Sequence, residues 1–355
     1  MKKNKVFFSI LKTIVIYLIF VLIFFNAGIV SAAEKKIELS YLPVYNDKHP
    51  TMINAHFPWM EEIKNKTNGR VVIQYNPPDT IVPQPETYDA IVAGAGDLGF
   101  TPVGFDPGKF PVAESITLPM LFPSSTVGSL VAWDLYNKYE VWRAEFQQVK
   151  VLTHWVSALI QVHTTKKPIR VPKDFEGLKI ICLSPNTFEM VKLLGGNPIR
   201  IKPVEMYMAL ERGIADGLAL PLAPVRSMKL DEPLTYTTNA KLGVDVFTMI
   251  MNKDRWESLP PDIQKVFNET TGKKLSLSSG RSLDEGAAAD EPLLKKKGHT
   301  FIYLTPDETQ MWREALQPMY DNYFKKMESE GHDNMQLIVK DATELTRKYS
   351  KEFGN

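Results

Sequence analysis

The residues of this chain that could do chemistry are few, and their spacing fits neither catalysis nor metal binding. His49, His154 and His163 lack the spacing to a cysteine or an acidic cluster that a zinc site would show. Cys182 is the only cysteine, so it can form no intramolecular disulfide, and no histidine–asparagine pattern accompanies it as a nucleophile would require. The sequence therefore predicts a protein that is not an enzyme and that holds no metal and no cofactor.

Charge and motif content argue against nucleic acid as a partner. The chain carries 42 Lys and Arg against 41 Asp and Glu, a formal net charge of +1, whereas a nucleic-acid-binding surface needs a basic stripe. The glycine-rich segment 93–96 lacks the GxxxxGK[ST] sequence of a phosphate-binding loop. We therefore expect a small molecule as the ligand.

The segment from Gly177 to Pro221 is the most informative about the fold. A short apolar strand (178–182) is followed by a helix that carries Met190, and a Gly-Gly-Asn-Pro turn leads into a second strand (199–201). A short helix from Val204 then ends at Gly213. Because parallel strands need a helix to connect them, this order predicts a strand–helix–strand crossover.

The N-terminal half predicts the same kind of architecture. Strands at 37–41, 70–75 and 97–101 alternate with helices at 52–66 and 86–93, which indicates a doubly wound parallel sheet. The first helix would bury a face with Ile53, Phe57, Met60 and Ile63. Residues 260–297 are compatible with one long helix, or with two or three helices separated at their glycines.

Residues 1–33 have the pattern of a secretory signal peptide. Three early lysines precede an apolar run from Thr13 to Val30, and small residues follow at 31–33. We expect cleavage after Ala32 or Ala33 and a periplasmic mature protein of roughly 320 residues, enough for two domains. The alternative is an uncleaved anchor, since the apolar run approaches the length of a membrane span.

Several of these segments resemble, in order, those of the DctP family, the solute-binding proteins of TRAP transporters. The signature region appears here as Gly177–Ile180, Glu205, Tyr207, Ala209-Leu210, Asp216-Gly217 and Pro221. Six further segments resemble the family, and they are His49-Pro50, 68–78, 93–100, 118–122, 164–179 and 256–267. Together they cover nearly the whole chain after the signal peptide.

The resemblance implies an α/β, two-lobed periplasmic binding protein fold, with doubly wound sheets joined by hinge strands and a long helix spanning both lobes. It favours one long helix, straight or kinked, over 260–297, hinge strands near 156–159 and 243–246, and two discontinuous lobes. Lobe I would comprise 34–157 and 246–285, and lobe II would comprise 158–245 and 286–355 with the C-terminal helices. Such a protein captures a small molecule in the cleft between its lobes and delivers it to the small and large TRAP membrane subunits. We expect a monomer.

Three positions depart from the family's pattern for binding carboxylates. The arginine that follows the GLK strand, whose guanidinium pairs two N–H donors with a carboxylate, corresponds to Ile181. A second basic residue corresponds to Gln161, and the asparagine before the proline that follows the DG turn corresponds to Leu220. Because an unpaired buried carboxylate costs several kcal/mol, these replacements predict a neutral, apolar or aromatic ligand.

We expect nine residues to bind the ligand, with Gln161 and Ser184 as hydrogen-bonding groups. They are Tyr45, Phe100, Trp155, Gln161, His163, Ile181, Ser184, Leu220 and Asp245. Asp245 could hold a ligand amine or be a solvated acid at a strand end. The main alternatives are an organic acid bound by a relocated Arg200 or Arg226, and a binding subunit of another transporter class.

Overall fold

Two β-sheets, each covered by helices, form the framework of the computed structural model, which describes residues 36–106 and 108–353. The predicted signal peptide lies outside these residues. The strands are β1 (Ile37–Leu42), β2 (Val71–Tyr75), β3 (Leu98–Pro102), β4 (Val149–Val156), β5 (Gln161–Thr164), β6 (Lys179–Ile181), β7 (Asn197–Ile199), β8 (Gly217–Leu220), β9 (Tyr236–Asn239), β10 (Val246–Asn252) and β11 (Thr300–Tyr303). The α-helices are α1 (Phe57–Lys66), α2 (Thr87–Val92), α3 (Pro111–Glu114), α4 (Ser125–Lys138), α5 (Glu140–Glu145), α6 (Pro185–Leu193), α7 (Met206–Glu211), α8 (Leu222–Ser227), α9 (Lys253–Glu257), α10 (Pro261–Thr270), α11 (Lys273–Lys296), α12 (Pro306–Ser329) and α13 (Met335–Phe353).

The first sheet has the strand order β2-β1-β3-β10-β4, and the second has the order β11-β9-β5-β8-β6-β7. In the first sheet β1 and β3 are parallel, while β10 runs antiparallel to both β3 and β4. This sheet is therefore mixed and not wholly parallel as predicted, because β10 enters it from the second lobe instead of through a helical crossover. In the second sheet β6 is parallel to β7 and to β8, which confirms the crossover predicted between Gly177 and Pro221. We use lobe I and lobe II for these two sheets with the helices packed on them.

The chain passes from lobe I to lobe II between β4 and β5, and returns between β9 and β10. We call these segments the first crossing (157–160) and the second crossing (240–245). The Ser157 amide donates to the Asp245 carbonyl at 2.8 Å, and the Ile160 amide donates to the Gly243 carbonyl at 3.0 Å. The two crossings are therefore hydrogen-bonded to each other, as hinge strands are expected to be, and they overlap the positions predicted near 156–159 and 243–246.

The predicted single helix over 260–297 is wrong, because the chain breaks at Gly272 into α10 and α11. Gly272 has a φ of +59°, which favours glycine, and its amide donates to the Leu152 carbonyl instead of continuing the helix. A Cβ at this position would lie 2.9 Å from the ring of Trp133. The expectation of a long helix spanning both lobes is met by α11 alone, which packs on α4 in lobe I and on α8 in lobe II.

The first helix buries a different face from the predicted one. It starts with a π-helical turn over Met52–His56, and such a turn changes the angular spacing of the side chains that follow. Met52, Ala55 and Trp59 are buried with Ile63, whereas Ile53 is half exposed.

The C-terminal helix α13 belongs to the core of lobe I. Its Met335, Ile338 and Ala342 join the apolar cluster of α4, and the Asp341 carboxylate accepts hydrogen bonds from Lys138 and Tyr139 at the end of that helix. This packing differs from the assignment of residues 286–355 to lobe II, because the apolar face of α13 is buried against α4. The remaining lobe limits stay a prediction. No helix within 36–106 and 108–353 is long and apolar enough to cross a membrane.

We predict that Gly280→Ala destabilises the protein, because α11 and α4 touch at this glycine. A Cβ there would lie 2.5 Å from Ser129 Oγ and 2.6 Å from the Ser125 carbonyl oxygen, and overpacking of this kind costs about 1–3 kcal/mol. Gly286→Ala in the same helix is the control, because its nearest neighbour would be Pro50 at 3.5 Å and alanine favours a helix by up to about 1 kcal/mol. Urea unfolding of both variants measures the difference, and equal stabilities would contradict the close contact.

Candidate functional site

A cavity of about 560 Å³ lies where the two crossings pass between the sheets, and we call it the interlobe cavity. Its walls come from the β1–α1 connection, the start of α4, both crossings, the segment after β8 and the middle of α11. The lining residues include Tyr45, His49, Ser124, Ser125, Ser157, Leu159, Gln161, Pro221, Leu222, Asn239, Lys241, Asp245, Phe247, Leu283, Asp284, Ala287, Asp290 and Glu291. The cavity is thus bounded by both lobes.

Aromatic rings form the lobe I wall of the cavity. The ring of Tyr45 stacks on His49 with centroids 3.6 Å apart, and it lies 5.2 Å from the ring of Phe247. Behind this pair, Trp155 stacks on Phe247 at 5.4 Å, and Phe100 lies 5.1 Å from Tyr45. Phe100 and Trp155 are fully buried, so they support the wall from behind.

A polar group of residues lies on the lobe II side. In the register of β5 and β9, Val162 is opposite Thr238, which sets Gln161 opposite Asn239. Both amide oxygens, Gln161 Oε1 and Asn239 Oδ1, are buried without a hydrogen-bond partner among the described residues. Lys241 follows in the second crossing, and burial lowers the pKa of its amine, against a smaller raising effect of Asp284.

The acidic residues of the wall differ in what they contact. Asp284 accepts hydrogen bonds from the Ser125 and Thr126 amides at 2.9 and 2.8 Å, where it caps the start of α4. Asp290 pairs with Arg226 at 3.0 Å, and Glu291 pairs with Lys295. Asp245 has no such pairing in the described part of the chain, and burial raises the pKa of its carboxyl group. These acids therefore have structural partners, except for Asp245.

Of the nine residues predicted to bind the ligand, Tyr45, Gln161 and Asp245 line the interlobe cavity. Four others lie away from its surface, in lobe II. Ile181 is fully buried in the apolar cluster around β6 and β8, and most of Leu220 is buried in the same cluster. Ser184 caps α6, where its Oγ accepts from the Thr187 amide at 3.2 Å. The ligand contacts of Phe100, Trp155 and these residues stay a prediction.

His163 is part of a buried hydrogen-bond chain beneath the end of β8. Burial lowers its pKa to about 3, so the ring is neutral. Its Nε2 donates to the Leu220 carbonyl at 3.0 Å, and its Nδ1 therefore accepts from the Thr237 hydroxyl at 2.8 Å. This histidine holds β5, β8 and β9 together at the edge that faces the cavity.

Neither arginine considered as a relocated anchor lines the cavity. Arg200 lies over the ring of Phe188 at 5.7 Å, and Arg226 is paired with Asp290 in the wall. Lys241 does line the cavity, and sequence reasoning missed it. The available signal was a basic residue two positions before the predicted second hinge strand. No three His, Cys, Asp or Glu residues of the described ranges are grouped as metal ligands would be.

The two sheets, the paired crossings and a cavity lined by both lobes define a two-lobed binding protein of the periplasmic type. Residues 43–327 match the family described as bacterial extracellular solute-binding protein, family 7, also called DctP, and the chain belongs to this family. Proteins of this family bind solutes outside the cytoplasm for transport by TRAP permeases, which confirms the resemblance found in the sequence.

Individual relatives agree with this assignment. The chain is 25% identical over 273 residues to the C4-dicarboxylate-binding periplasmic protein DctP of Rhodobacter capsulatus, covering 76% of this chain and 82% of the relative. A TRAP periplasmic solute-binding protein from Desulfovibrio salexigens is similar in structure with a TM-score of 0.83 and 29% identity, covering 88% of this chain and 97% of that one. A TRAP solute-binding protein from Rhodoferax ferrireducens, solved with copurified benzoate, has a TM-score of 0.79 and 25% identity, covering 89% and 99%.

We predict that Asp245→Asn stabilises the ligand-free protein near neutral pH. Burial raises the folded-state pKa of Asp245, so the charged form is penalised in the folded state as pH rises through that pKa. The gain in stability from the neutral asparagine amide should therefore shrink as pH falls towards the ordinary pKa of an aspartate. Melting temperatures of the variant and the wild type across this pH range measure the effect.

Asp284→Asn is the matched control for that experiment, because Asp284 accepts three hydrogen bonds at the start of α4. It should lower the melting temperature where Asp245→Asn raises it. A loss of stability in Asp245→Asn at neutral pH would contradict the description of an unpaired buried carboxylate.

Proposed function

We propose that this protein captures a small organic ligand with an aromatic or otherwise apolar body in the interlobe cavity and delivers it to a TRAP-type permease. The single observation that carries the proposal is the position of the cavity at the two paired crossings. A ligand held there contacts both lobes, and rotation of the lobes about the crossings would enclose it. The enclosed form is the one that a membrane partner can distinguish from the empty form.

The composition of the wall supports an apolar ligand body. Tyr45, Phe247, Leu159 and Leu283 offer ring and aliphatic surface around the cavity, and such surfaces supply most of the binding energy for small ligands. At the position of the family's arginine, Ile181 is buried in the core of lobe II and offers no guanidinium group. A ligand that depends on such a pair of N–H donors is therefore disfavoured.

The comparisons support a second candidate for the class of ligand, an organic acid. Benzoate was bound by the Rhodoferax ferrireducens protein, and the Rhodobacter capsulatus relative is described as binding C4-dicarboxylates. Benzoate combines an aromatic body with one carboxylate, and the cavity-lining Lys241 is a basic group that could pair with a single carboxylate. We propose further that the chain is exported by residues 1–33, is cleaved near Ala32 or Ala33 and acts as a monomer.

A thermal-shift screen tests the proposal with two panels of matched size, one of ring-bearing compounds and one of aliphatic C4 dicarboxylates. A ligand present at about 100 times its Kd should add about 2.7 kcal/mol of stability, which raises the melting temperature by a few degrees. We expect ring-bearing compounds to give the larger shifts. Shifts from the C4 dicarboxylates alone would contradict the proposed ligand body.

We predict that Tyr45→Ala raises the Kd for the compounds identified in that screen by at least about tenfold. The substitution removes a ring from the cavity wall, and aromatic contacts of this kind dominate many binding sites. Tyr207→Ala is the matched control, because Tyr207 lies on α7 and its hydroxyl donates to Glu232 at 2.7 Å, outside the cavity. Equal affinities of both variants, measured by isothermal titration calorimetry, would show that the ligand binds elsewhere.

A further inference from the structure

Lys241 is a half-buried cation in the second crossing, and the nearby Asp284 raises the pKa of its amine only against a larger lowering effect of burial. Its ammonium group has three hydrogen-bond donors and no acceptor, yet within residues 36–106 and 108–353 it forms no hydrogen bond and no ion pair. Other lysines do have such partners, for example Lys274 of α11 with Glu62 at 2.6 Å and Lys109 with Asp89 at 2.6 Å. Because Lys241 lines the interlobe cavity, a group bound in the cavity can supply the missing acceptor.

The backbone at Lys241 is held in a conformation that disfavours lysine. Its φ is +51°, in the left-handed region, which costs a residue with a Cβ roughly 1–2 kcal/mol relative to the right-handed helix. The next residue is fixed on both sides, since the Leu242 amide donates to the Ile160 carbonyl at 2.9 Å and the Leu242 carbonyl accepts from the Met120 amide at 3.0 Å. Glycine would adopt this conformation without strain, so the lysine side chain is the feature that needs a reason.

Two amide side chains lie beside this lysine. Extending the register of β5 and β9 by one residue sets Gln161 opposite Asn239, and both line the interlobe cavity with Lys241. Gln161 exposes only 8% of its surface and, like Asn239, has an amide oxygen without a partner among the described residues. An amide can present either its NH₂ group or its oxygen, so the pair can donate to a carboxylate or accept from a ligand hydroxyl.

We infer that Lys241 binds a carboxylate of the ligand, with Gln161 and Asn239 as flanking hydrogen-bond partners. The ligand class is then a monocarboxylic acid whose aromatic or apolar body lies against Tyr45 and Phe247. This inference rests on the proposed function and specifies its ligand. A flexible ammonium takes over the charge that the family's guanidinium supplies elsewhere, from the second crossing instead of from β6.

Two alternative binding sites can be distinguished from the one inferred here, a cation site at Asp245 and a site in the neighbouring cavity. Asp245 could bind a ligand cation, although burial, which raises the pKa of its carboxyl group, penalises the charged form that would attract a cation. Lys241 and Asn239 also line a neighbouring cavity of about 510 Å³, together with Arg313 of α12. Arg313 does not line the interlobe cavity, so its substitution reports on the neighbouring cavity alone.

The test compares acids with their neutral amides, which have nearly the same shape. Isothermal titration calorimetry with benzoate, benzamide, phenylacetate and phenylacetamide is carried out on the wild type and on Lys241→Met. We expect the acids to bind more tightly than the amides, and Lys241→Met to weaken the acids about ten- to a hundredfold while the amides change by less than about threefold. Lys241→Arg should keep most of the preference for acids, because it keeps the charge.

Lys241→Gly is the control for a loss of affinity that is caused by misfolding of Lys241→Met. It removes the side chain and relieves the left-handed strain, so its melting temperature should equal or exceed that of the wild type while the acids lose affinity as they do in Lys241→Met. Arg313→Met is the control for the neighbouring cavity and should leave all four affinities unchanged.

Several outcomes would overturn the inference. One is that the amides bind as tightly as their acids, and another is that neither acid binds. The inference would also be contradicted if Lys241→Met and the wild type had equal acid affinity, or if only Arg313→Met lost acid affinity. Benzylamine binding that depends on Asp245 in place of acid binding would also overturn it. Tyr45→Ala distinguishes failure of the inference about Lys241 from failure of the proposed function. This substitution lowers the affinity of every ligand that binds in the interlobe cavity, whether or not that ligand is charged.

Discussion

The hydrogen bonds between the first and second crossings are the constraint on which the rest of the structure depends. The Ser157 amide reaches the Asp245 carbonyl, the Ile160 amide reaches the Gly243 carbonyl, and the Asp245 amide in turn donates to Ser157 Oγ at 2.9 Å. Backbone groups buried between two sheets must be paired, and here they are paired with each other. The two lobes are thus joined by a narrow pair of strands, and the cavity opens where those strands pass between the sheets.

The position of the polar residues in the cavity follows from the same pairing. Gln161 begins β5 directly after the first crossing, Asn239 ends β9 directly before the second, and Lys241 and Asp245 lie within the second crossing. These side chains come from residues far apart in sequence, yet the pairing of the crossings brings them to one wall. The helix α11 faces them from the other side, and its close contact with α4 at Gly280 fixes that wall on lobe I. A ligand between the walls therefore contacts the hinge itself, which couples binding to the relative position of the lobes.

The fold was predictable from the sequence where local patterns determine it. The crossover around β6 and α6 and the strands β1, β2 and β3 follow from apolar runs, turn residues and the order of elements. The break at Gly272 was not predictable from the sequence, because a glycine inside a helical pattern does not by itself end the helix. Here the break depends on two tertiary neighbours, the ring of Trp133 and the Leu152 carbonyl, which accepts from the Gly272 amide. The packing of α13 on lobe I depends likewise on a tertiary contact with α4.

The site was predictable only in part, because burial and pairing are properties of the three-dimensional structure. Tyr45, Gln161 and Asp245 were expected in the cavity and lie there, while Ile181 occupies the position of the family's arginine but packs in the core. In the sequence, Lys241 differs from the other lysines only in its position two residues before the predicted second hinge strand. Its left-handed backbone, and the absence of a hydrogen bond or ion pair to its amine from residues 36–106 and 108–353, become visible only once the crossings are placed against each other.

The measurement that tests the central claim most directly is a crystal structure of the protein grown with benzoate. The account predicts electron density for the ring between Tyr45 and the lobe II wall, with the carboxylate within hydrogen-bond distance of the Lys241 amine and the lobes closer together than in the ligand-free protein. Density beside α12 in the cavity that Arg313 lines, with the interlobe cavity filled only by water, would contradict it.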